Sequence, residues 1–453
     1  MVEQLGVRSI LRRFLVLTGL RWLPLGLLAP VMVLLPLDRG LRLSDVGFAL
    51  AFQGFVVLAL EVPTGGLADS IGRRRMLLAA SVASVVSLTV FALAQNVVAL
   101  ACAAALLGVY RALDSGPLES WYVDESQARD PQAQIDVGIG RQNTVMGLSI
   151  GLGALAGAAV VTWRPVPAIE PMLLPVLLAL GVQVLGAVGV WVLMEERHLP
   201  DSAGTGASGI RAGVREVPRT ISASARLLRA SPVLLALSGV ELVWGLGAPT
   251  FENLFSVRLS EVTVTPEAAA AMTGTAVAVG WLASSAGAAV TPRMARRWGT
   301  VEISVLLRVL QGAAVVAMGL FAGVVGVLAA YAACYVVHGA SGAAHMTLLH
   351  RHTAGGVRST MVSINSMMAQ GAGAVGSIGL SVLAERVSVS AAMIVGGVVL
   401  AAGAPLYLFA RAAERERAAS GPAELPVRDA TDEQRRGRRH KQHEGKRYDF
   451  DPQ

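Results

Sequence analysis

Charged side chains inside long apolar runs are the first feature of this chain that points to chemistry. Glu61, Asp114 and Glu241 lie in such runs, and so do Arg21 and Arg111. An ionisable group at the centre of a lipid bilayer costs at least about 2.5–3.5 kcal/mol unless it is paired or faces water. We therefore predict that these five residues face the interior of a helix bundle and couple protons to a substrate.

The run that contains Arg111 carries several further charges. Arg111 and Asp114 are three residues apart, so a helix places them on one face and lets them pair with each other. A continuous helix over residues 98–121 puts Glu119 on nearly the same face, about 12 Å further along. Two interpretations remain open here: a static ladder of ion pairs that fixes helix packing, or a path for protons or substrate.

The elements that hold these residues are helices of membrane-spanning length. The chain is 54% hydrophobic and only 15% charged, whereas soluble domains carry about 25% charged residues. Twelve apolar segments of about 20 residues follow one another along the sequence, the first from about residue 14. The sequence therefore predicts an all-α integral membrane protein with twelve transmembrane helices in two six-helix halves, surrounded by the lipid bilayer.

The domain boundaries follow from the connections between these segments. The longest internal connection is rich in Gly, Ser and Arg and separates the sixth from the seventh apolar segment. We predict an N-terminal half over residues 1–194, a cytoplasmic linker over 195–231 and a C-terminal half over 232–410. Residues 411–453 form a basic cytoplasmic tail that we expect to be disordered.

The distribution of basic residues predicts the orientation. Most of the 38 Lys and Arg residues fall in the termini, the central linker and alternate loops, all on one side of the predicted membrane. Such loops face the cytoplasm, so both termini are expected there, in a multi-pass protein of the plasma membrane. The net charge of +7 is explained in this way, and no nucleic-acid partner is expected.

Enzymatic and metal chemistry have little support in the sequence. Cys102 and Cys334 lie within apolar runs, and His338 and His345 lack accompanying carboxylates or thiols at ligand spacing. The chain has no phosphate-binding Gly-rich loop followed by Lys and Ser or Thr, and no nucleophile elbow. We expect no enzyme activity, no cofactor and no bound metal.

A glycine-punctuated basic turn follows the run that contains Glu61. The stretch GGLADSIGRRRML spans residues 65–77 and joins two apolar runs. Asp69 is expected to anchor this loop through backbone N–H groups or through Arg73, four residues later. We predict a gate on the cytoplasmic side formed by Gly65, Asp69, Gly72, Arg73, Arg74, Glu119 and Asp124.

This stretch resembles the loop 2–3 signature of the major facilitator superfamily, G-x-L-a-D-r-x-G-r-k-x-x-l. Gly65, Asp69, Gly72 and Arg73 are among the matching positions, whereas Ser70 stands where the family usually has Arg. Arg111 looks like the membrane arginine of a second family motif that is implicated in proton coupling. The resemblance implies a secondary transporter whose halves rock around a midplane site, with this loop as a latch.

The function that these features favour is proton-coupled efflux of an amphipathic small molecule or drug, by a monomer. The fifth apolar run lacks the Gly-Pro pair of drug antiporters. Two alternatives remain: proton-coupled uptake of a metabolite, and a transporter-like sensor that binds its ligand without moving it.

Overall fold

The structure is a computed structural model that describes residues 2–65, 71–195, 226, 228–229, 231–353 and 358–420. The N-terminal part contains α1 (Val2–Leu28), α2 (Leu34–Asp38), α3 (Leu43–Gly65), α4 (Arg73–Leu93), α5 (Val97–Asp114), α6 (Pro117–Gln127), α7 (Ile135–Trp163) and α8 (Leu174–Leu193). The C-terminal part contains α9 (Pro232–Gly247), a π turn (Thr250–Leu254), α10 (Phe255–Val262), α11 (Pro266–Trp298), α12 (Thr300–Leu320), α13 (Val324–Arg351), α14 (Arg358–Arg386), α15 (Val389–Ala402) and a 3-10 segment (Ala404–Ala410).

Apolar length explains why these segments are membrane helices. Among the described residues, 11 helical segments are long and apolar enough to cross a membrane. The remaining long helix is α1, whose 27 residues include Arg8, Arg12, Arg13 and Arg21 and begin well before residue 14. It packs against α7 and α8 within the bundle. The predicted all-α membrane fold is confirmed, with one long segment for each predicted span.

Polar residues at the starts of several helices define where they begin. Asn96, Thr265 and Ser388 each accept a hydrogen bond from the backbone N–H three residues later, at 3.0, 3.2 and 3.0 Å. Such caps satisfy N–H groups that have no partner within the helix. Short polar turns thus separate apolar helices that would otherwise run together.

Small residues let the helices of each half approach closely. A Cβ at Gly26 of α1 would overlap the backbone carbonyl of Ile150 on α7, and one at Gly153 would overlap the carbonyl of Leu23. Membrane helices associate largely by such close packing, because lipid chains are as apolar as the side chains. These contacts hold α1, the helix that carries Arg21, close against α7.

The two halves meet along two helix pairs, α3 with α14 and α7 with α11. Ser377 donates a hydrogen bond to the backbone oxygen of Gly47 at 3.2 Å, and a Cβ at Gly274 would overlap the carbonyl of Ala154. We call the end of the bundle where α4 begins, at Arg73–Arg75, the basic end, and the opposite end the distal end. These cross-half contacts lie toward the distal end.

Ion pairs reinforce the contact between the halves at the distal end. Arg42 pairs with Glu385, which also accepts a hydrogen bond from the Ser44 backbone at 2.9 Å, and Arg164 pairs with Glu267 at 2.6 Å. The largest apolar core, which includes Val31 and Phe251, also joins the halves. The distal end is therefore closed.

Asp38 lies at this junction, outside the membrane spans, and illustrates its electrostatics. Partial burial, together with the carboxylates of Glu170 and Glu267, raises the pKa of Asp38 above its ordinary value, and Arg39 opposes the shift. Glu170 is itself paired with Arg39 at 3.0 Å. Acidic groups of both halves thus lie close together where the halves close.

The fourth apolar run is interrupted, contrary to the continuous helix predicted over residues 98–121. Helix α5 ends at Asp114, and α6 begins at Pro117 after Ser115 and Gly116. Gly116 has φ 96°, a left-handed conformation that costs other residues energy because of their Cβ. Glu119 and Asp124 therefore lie on a separate helix, and their helical spacing from Arg111 does not hold.

A second unit begins at Ala410, and its described part contains α16 (Arg411–Ser420). The basic tail beyond residue 420 and most of the linker predicted over 195–231 lie outside the described residues, so the domain boundaries stay predictions.

Candidate functional site

Arg21 of α1 is the centre of a charged cluster in the N-terminal half. Its guanidinium pairs with the Asp114 carboxylate, donates to the Asp114 backbone oxygen at 2.9 Å and reaches Glu119 at 3.3 Å. Gln142 of α7 donates to the same Glu119 carboxylate. Residues of α1, α5, α6 and α7 thus converge, and we call Arg21, Asp114, Glu119 and Gln142 the N-half cluster.

The N-half cluster corrects two predictions. Asp114 pairs with Arg21 and not with Arg111, because α5 ends at Asp114 and its last turn faces α1. Glu119, expected in the gate, pairs with Arg21 instead because Gly116 redirects the chain before Pro117. The predicted coupling residues Arg21 and Asp114 are therefore in contact, whereas Arg111 is separate from them.

A small cavity adjoins the N-half cluster. Its volume is about 30 Å³, and Arg21, Tyr110, Asp114, Ser81 and Gln183 supply its polar lining. A water molecule needs roughly 10–15 Å³ of such space and two to four polar partners. The cavity can therefore hold a water molecule beside the Arg21–Asp114 pair.

His345 of α13 is the centre of a second cluster, in the C-terminal half. Its Nε2 lies 3.4 Å from both the Glu241 carboxylate and the Asn365 side-chain oxygen, and its Nδ1 lies 3.1 Å from the Tyr407 hydroxyl. Two acceptor oxygens beside Nε2 favour the tautomer with its proton there, so that Nδ1 accepts from Tyr407. The Glu241 carboxylate thus lies beside an imidazole.

Arg308 extends this cluster. Its guanidinium donates to the Gln311 side-chain oxygen at 2.9 Å and to the Tyr407 hydroxyl at 3.3 Å, and the Gln311 amide lies 3.3 Å from Nδ1 of His338. Residues of α9, α12, α13, α14 and the 3-10 segment take part. We call Glu241, Arg308, Gln311, His338, His345, Asn365 and Tyr407 the C-half cluster.

The two histidines serve hydrogen bonding and packing. His338 stacks on Trp244 with ring centroids 5.7 Å apart, and His345 is buried. Among the described residues, no group of three or more His, Cys, Asp or Glu side chains is arranged to hold a metal ion. The contacts of His345 therefore involve the Glu241 carboxylate and hydroxyl or amide groups.

Arg111 and Glu252 are two further charged side chains, one from each half. Glu252 is in the π turn Thr250–Leu254, and π turns are frequent at functional sites. Both side chains are exposed, and the Arg111 guanidinium is within electrostatic reach of the Glu252 carboxylate. Charges of opposite sign thus face the same space from the two halves.

Aromatic rings surround the π turn. Phe251 contacts the rings of Tyr335, His338 and Trp244, with centroids 5.9, 5.5 and 6.4 Å apart. Tyr335 is within electrostatic reach of Glu252, and Trp244, Tyr335 and His338 are only half-buried. The Glu252 carboxylate therefore stands beside a partly accessible aromatic wall.

Part of the predicted gate lies among the described residues. Gly72 has φ 92°, so this turn requires a residue without a Cβ. Arg73 pairs with Asp124 and donates to the Ser120 backbone oxygen at 2.8 Å, and Arg74 stacks over Trp191 with 4.8 Å to the ring centroid. These contacts brace α4 against α6 and α8 at the basic end, within the N-terminal half.

Three predicted residues cannot be placed. Asp69, and with it the expected anchor of the loop, lies outside the described residues. Glu61 and Gly65 belong to α3, but the described part of the structure does not include their side-chain surroundings.

The sequence did not identify Glu252, Arg308, His345, Asn365 or Tyr407 as site residues. Arg308 and His345 were visible as ionisable groups in apolar runs. The other three had no comparable signal, because Tyr407 and Asn365 are uncharged and Glu252 lies towards the end of its predicted span.

Two bundles of long apolar helices, meeting around charges from both sides, define a multi-pass membrane transporter. The chain belongs to the Major Facilitator Superfamily, whose family model matches residues 14–353. The family resemblance of the loop is thereby confirmed, although a drug-efflux subtype is not part of this finding.

Solved structures share this fold. The nucleoside transporter NupG has a TM-score of 0.71 and 9% identity, over 88% of this chain and 98% of that chain. A bacterial homolog of the human lysosomal transporter Spinster, inward-facing and unoccupied, has a TM-score of 0.71 and 13% identity, over 91% of this chain and 98% of that chain. A POT family transporter in complex with 5-aminolevulinic acid has a TM-score of 0.67 and 14% identity, over 91% of this chain and 96% of that chain. At these identities the likeness concerns the fold alone. No curated protein matches the sequence.

Proposed function

We propose that this protein is a proton-coupled transporter that exports an amphipathic small molecule by alternating access. The observation that carries the proposal is that Arg111 and Glu252, one from each half, are both exposed and within electrostatic reach of one another. Transporters of this kind bind substrate near the midplane, between the repeats that move. Substrate bound there contacts both halves, so its release requires them to separate.

The distribution of contacts supports alternating access. Arg42–Glu385 and Arg164–Glu267 join the halves at the distal end, whereas the contacts described for Arg73 and Arg74 at the basic end stay within one half. Such an arrangement suits a conformation closed at the distal end. Rocking of one half against the other would exchange it for a conformation open at that end.

The latch that controls this exchange is proposed at the basic end. Arg73 and Asp124 form its described part, Gly72 and Arg74 shape the turn, and Gly65 and Asp69 are assigned to it from the family motif. We further propose that the basic end faces the cytoplasm, with both termini there, in the plasma membrane. The transporter acts as a monomer.

Proton coupling is assigned to the C-half cluster. Glu241 lies 3.4 Å from His345, and histidine is the side chain whose ordinary pKa is closest to physiological pH. An intramembrane carboxylate beside such a group is a common feature of proton pathways. Glu61 and Asp114 remain further candidates for proton transfer, with Arg21 and Arg111 as their basic partners.

Export is the proposed direction because a proton entering from outside can displace a bound cationic group from a carboxylate. The surrounding apolar and aromatic walls suit an amphipathic molecule. NupG, by its name, transports nucleosides, but an identity of 9% does not indicate the substrate of this chain.

The test is flux in proteoliposomes that contain the full chain, after a compound panel in cells without their own exporters has provided a substrate. An imposed pH gradient is expected to drive substrate against the proton flow, and a protonophore to abolish the driven part. Glu261→Gln, an exposed change at the distal end of α10, is the control.

Three other outcomes would each contradict part of the proposal. Flux unaffected by the protonophore removes proton coupling, and substrate moving with the protons identifies an uptake symporter. Binding without any turnover identifies a sensor.

A further inference from the structure

Arg111 and Glu252 are opposite charges that share a space without a direct bond. Within the described residues, neither side chain has a hydrogen bond or an ion pair, although both are exposed. By contrast, the charged side chains of the N-half cluster, Arg21, Asp114 and Glu119, are paired with one another. These two charges are therefore available to a ligand.

From this arrangement we infer that the protein binds a zwitterion at Arg111 and Glu252, with the ligand's cationic group paired with Glu252 and its anionic group paired with Arg111. This inference rests on the proposed function, because it names the substrate class of the same site. Each charge of the ligand would then contact one half of the protein. A single dipolar molecule would connect the two moving parts.

The balance of charge in the cavity explains why a zwitterion fits best. A purely cationic ligand at Glu252 would place its positive charge near the Arg111 guanidinium. A purely anionic ligand at Arg111 would place its negative charge near the Glu252 carboxylate. Both arrangements place like charges close to one another, which is unfavourable. A dipolar ligand satisfies both side chains and leaves no uncompensated charge.

The aromatic wall determines the rest of the ligand. Trp244, Tyr335 and His338 are half-buried beside Glu252, and their rings contact Phe251. Aromatic faces attract organic cations and cover apolar groups. The expected ligand therefore carries an apolar or aromatic group close to its cationic end.

The test uses phenyl-substituted amino acids in which the ammonium and carboxylate groups are separated by different numbers of carbons. Each is paired with the amine that lacks the carboxylate and the acid that lacks the ammonium group. Binding to the purified full chain is measured by titration calorimetry at neutral pH. The best zwitterion is expected to bind about tenfold or more tightly than its amine or its acid, because each loses one charge-assisted bond.

Two variants should change this preference in opposite directions. In Glu252→Gln the acid is expected to bind as tightly as the zwitterion, and in Arg111→Gln the amine is expected to do so. The controls Glu261→Gln and Arg386→Gln, which remove exposed charges elsewhere, should keep the wild-type order.

Tighter binding of the amines than of every zwitterion to the wild type overturns the inference, and so does the absence of binding by any zwitterion. An unchanged preference in both variants also overturns it. Transport is tested separately: proton-driven flux of a simple cation that zwitterions do not inhibit would leave the proposed function standing without the inference. A switch in ligand preference between the two variants, without proton-driven flux, would support the inference and contradict the proposed function.

Discussion

The two halves hold their buried charges in different ways. In the N-half cluster one guanidinium, Arg21, contacts two carboxylates, those of Asp114 and Glu119. In the C-half cluster Arg308 contacts only Gln311 and Tyr407 among the described residues, and the carboxylate of Glu241 contacts His345. The first arrangement suits a fixed structural joint, and the second suits a group that gains and loses a proton.

The helices beside the two clusters also differ, because one is interrupted and the other is continuous. In the N-terminal half, α5 ends beside its charged cluster and Gly116 turns the chain into α6. In the C-terminal half, α13 passes its cluster without interruption from Val324 to Arg351. Arg21 bonds to the Asp114 backbone oxygen at the broken helix end, so the N-half cluster also stabilises that break.

The largest expected effect comes from removing the central arginine of each half. Arg21→Met leaves two carboxylates without their partner, and breaking such a buried pair costs about 3–5 kcal/mol. Arg308→Met should cost clearly less, since no described carboxylate pairs with Arg308. Unfolding in detergent, followed by circular dichroism, measures both, and equal losses would contradict the contrast between the halves. Arg164→Met, in an exposed pair, should change stability by only about 0–1 kcal/mol.

The second effect concerns coupling. Glu241→Gln removes the carboxylate beside His345 and is expected to reduce driven flux about tenfold or more, a change of about 1.4 kcal/mol, while unfolding stability stays close to wild type. The measurement compares pH-driven flux with substrate exchange in the absence of a gradient, which should survive. Loss of both activities together would show that Glu241 serves binding or folding instead of coupling.

The helix break provides a third test. Gly116→Ala places a Cβ on a residue with φ 96°, and such strain costs of the order of 1–3 kcal/mol. Gly140→Ala is the matched control, because a Cβ at either position meets nothing within 4 Å and Gly140 lies inside a regular helix. The control should be neutral or slightly stabilising. Thermal unfolding of the two variants measures the backbone contribution alone.

The smallest effect is expected where acidic groups of the two halves meet. The pKa of Asp38 is raised by partial burial and by Glu170 and Glu267, so its charged form is unfavourable in the folded protein. Asp38→Asn should therefore be slightly more stable than wild type at neutral pH. The advantage should vanish as pH falls below the ordinary Asp value of about 4. Thermal unfolding at the two pH values measures it, and a constant difference would exclude the electrostatic cause.

The fold was predictable because apolar length is a local property of the sequence. Each predicted span corresponds to one long helical segment, and only α1 extends far beyond its expected start because its first turns carry Arg8, Arg12 and Arg13. Hydropathy therefore does not detect the basic first turns of α1. The interruption at Ser115, Gly116 and Pro117 was visible as a turn signal, but the surrounding apolar residues outweighed it.

The partners within the sites were harder to predict. Asp114 has a cation three residues away in the sequence, yet it pairs with Arg21, which is 93 positions distant. Helical spacing shows which groups can meet on one helix, whereas a neighbouring helix offers partners that no local pattern reveals. Glu241 was predicted as a coupling residue, but its neighbours His345, Asn365 and Tyr407 come from three other elements.

The π turn that carries Glu252 has a consequence for comparing this chain with its relatives. A wider turn accommodates one residue more than an α-helix of the same path. Deleting one residue within Thr250–Leu254 would restore regular α-helical winding, with the flanking helices keeping their faces and only the residues of the turn changing direction. A single-residue gap at this place in an alignment would therefore mark relatives in which the carboxylate no longer faces Arg111.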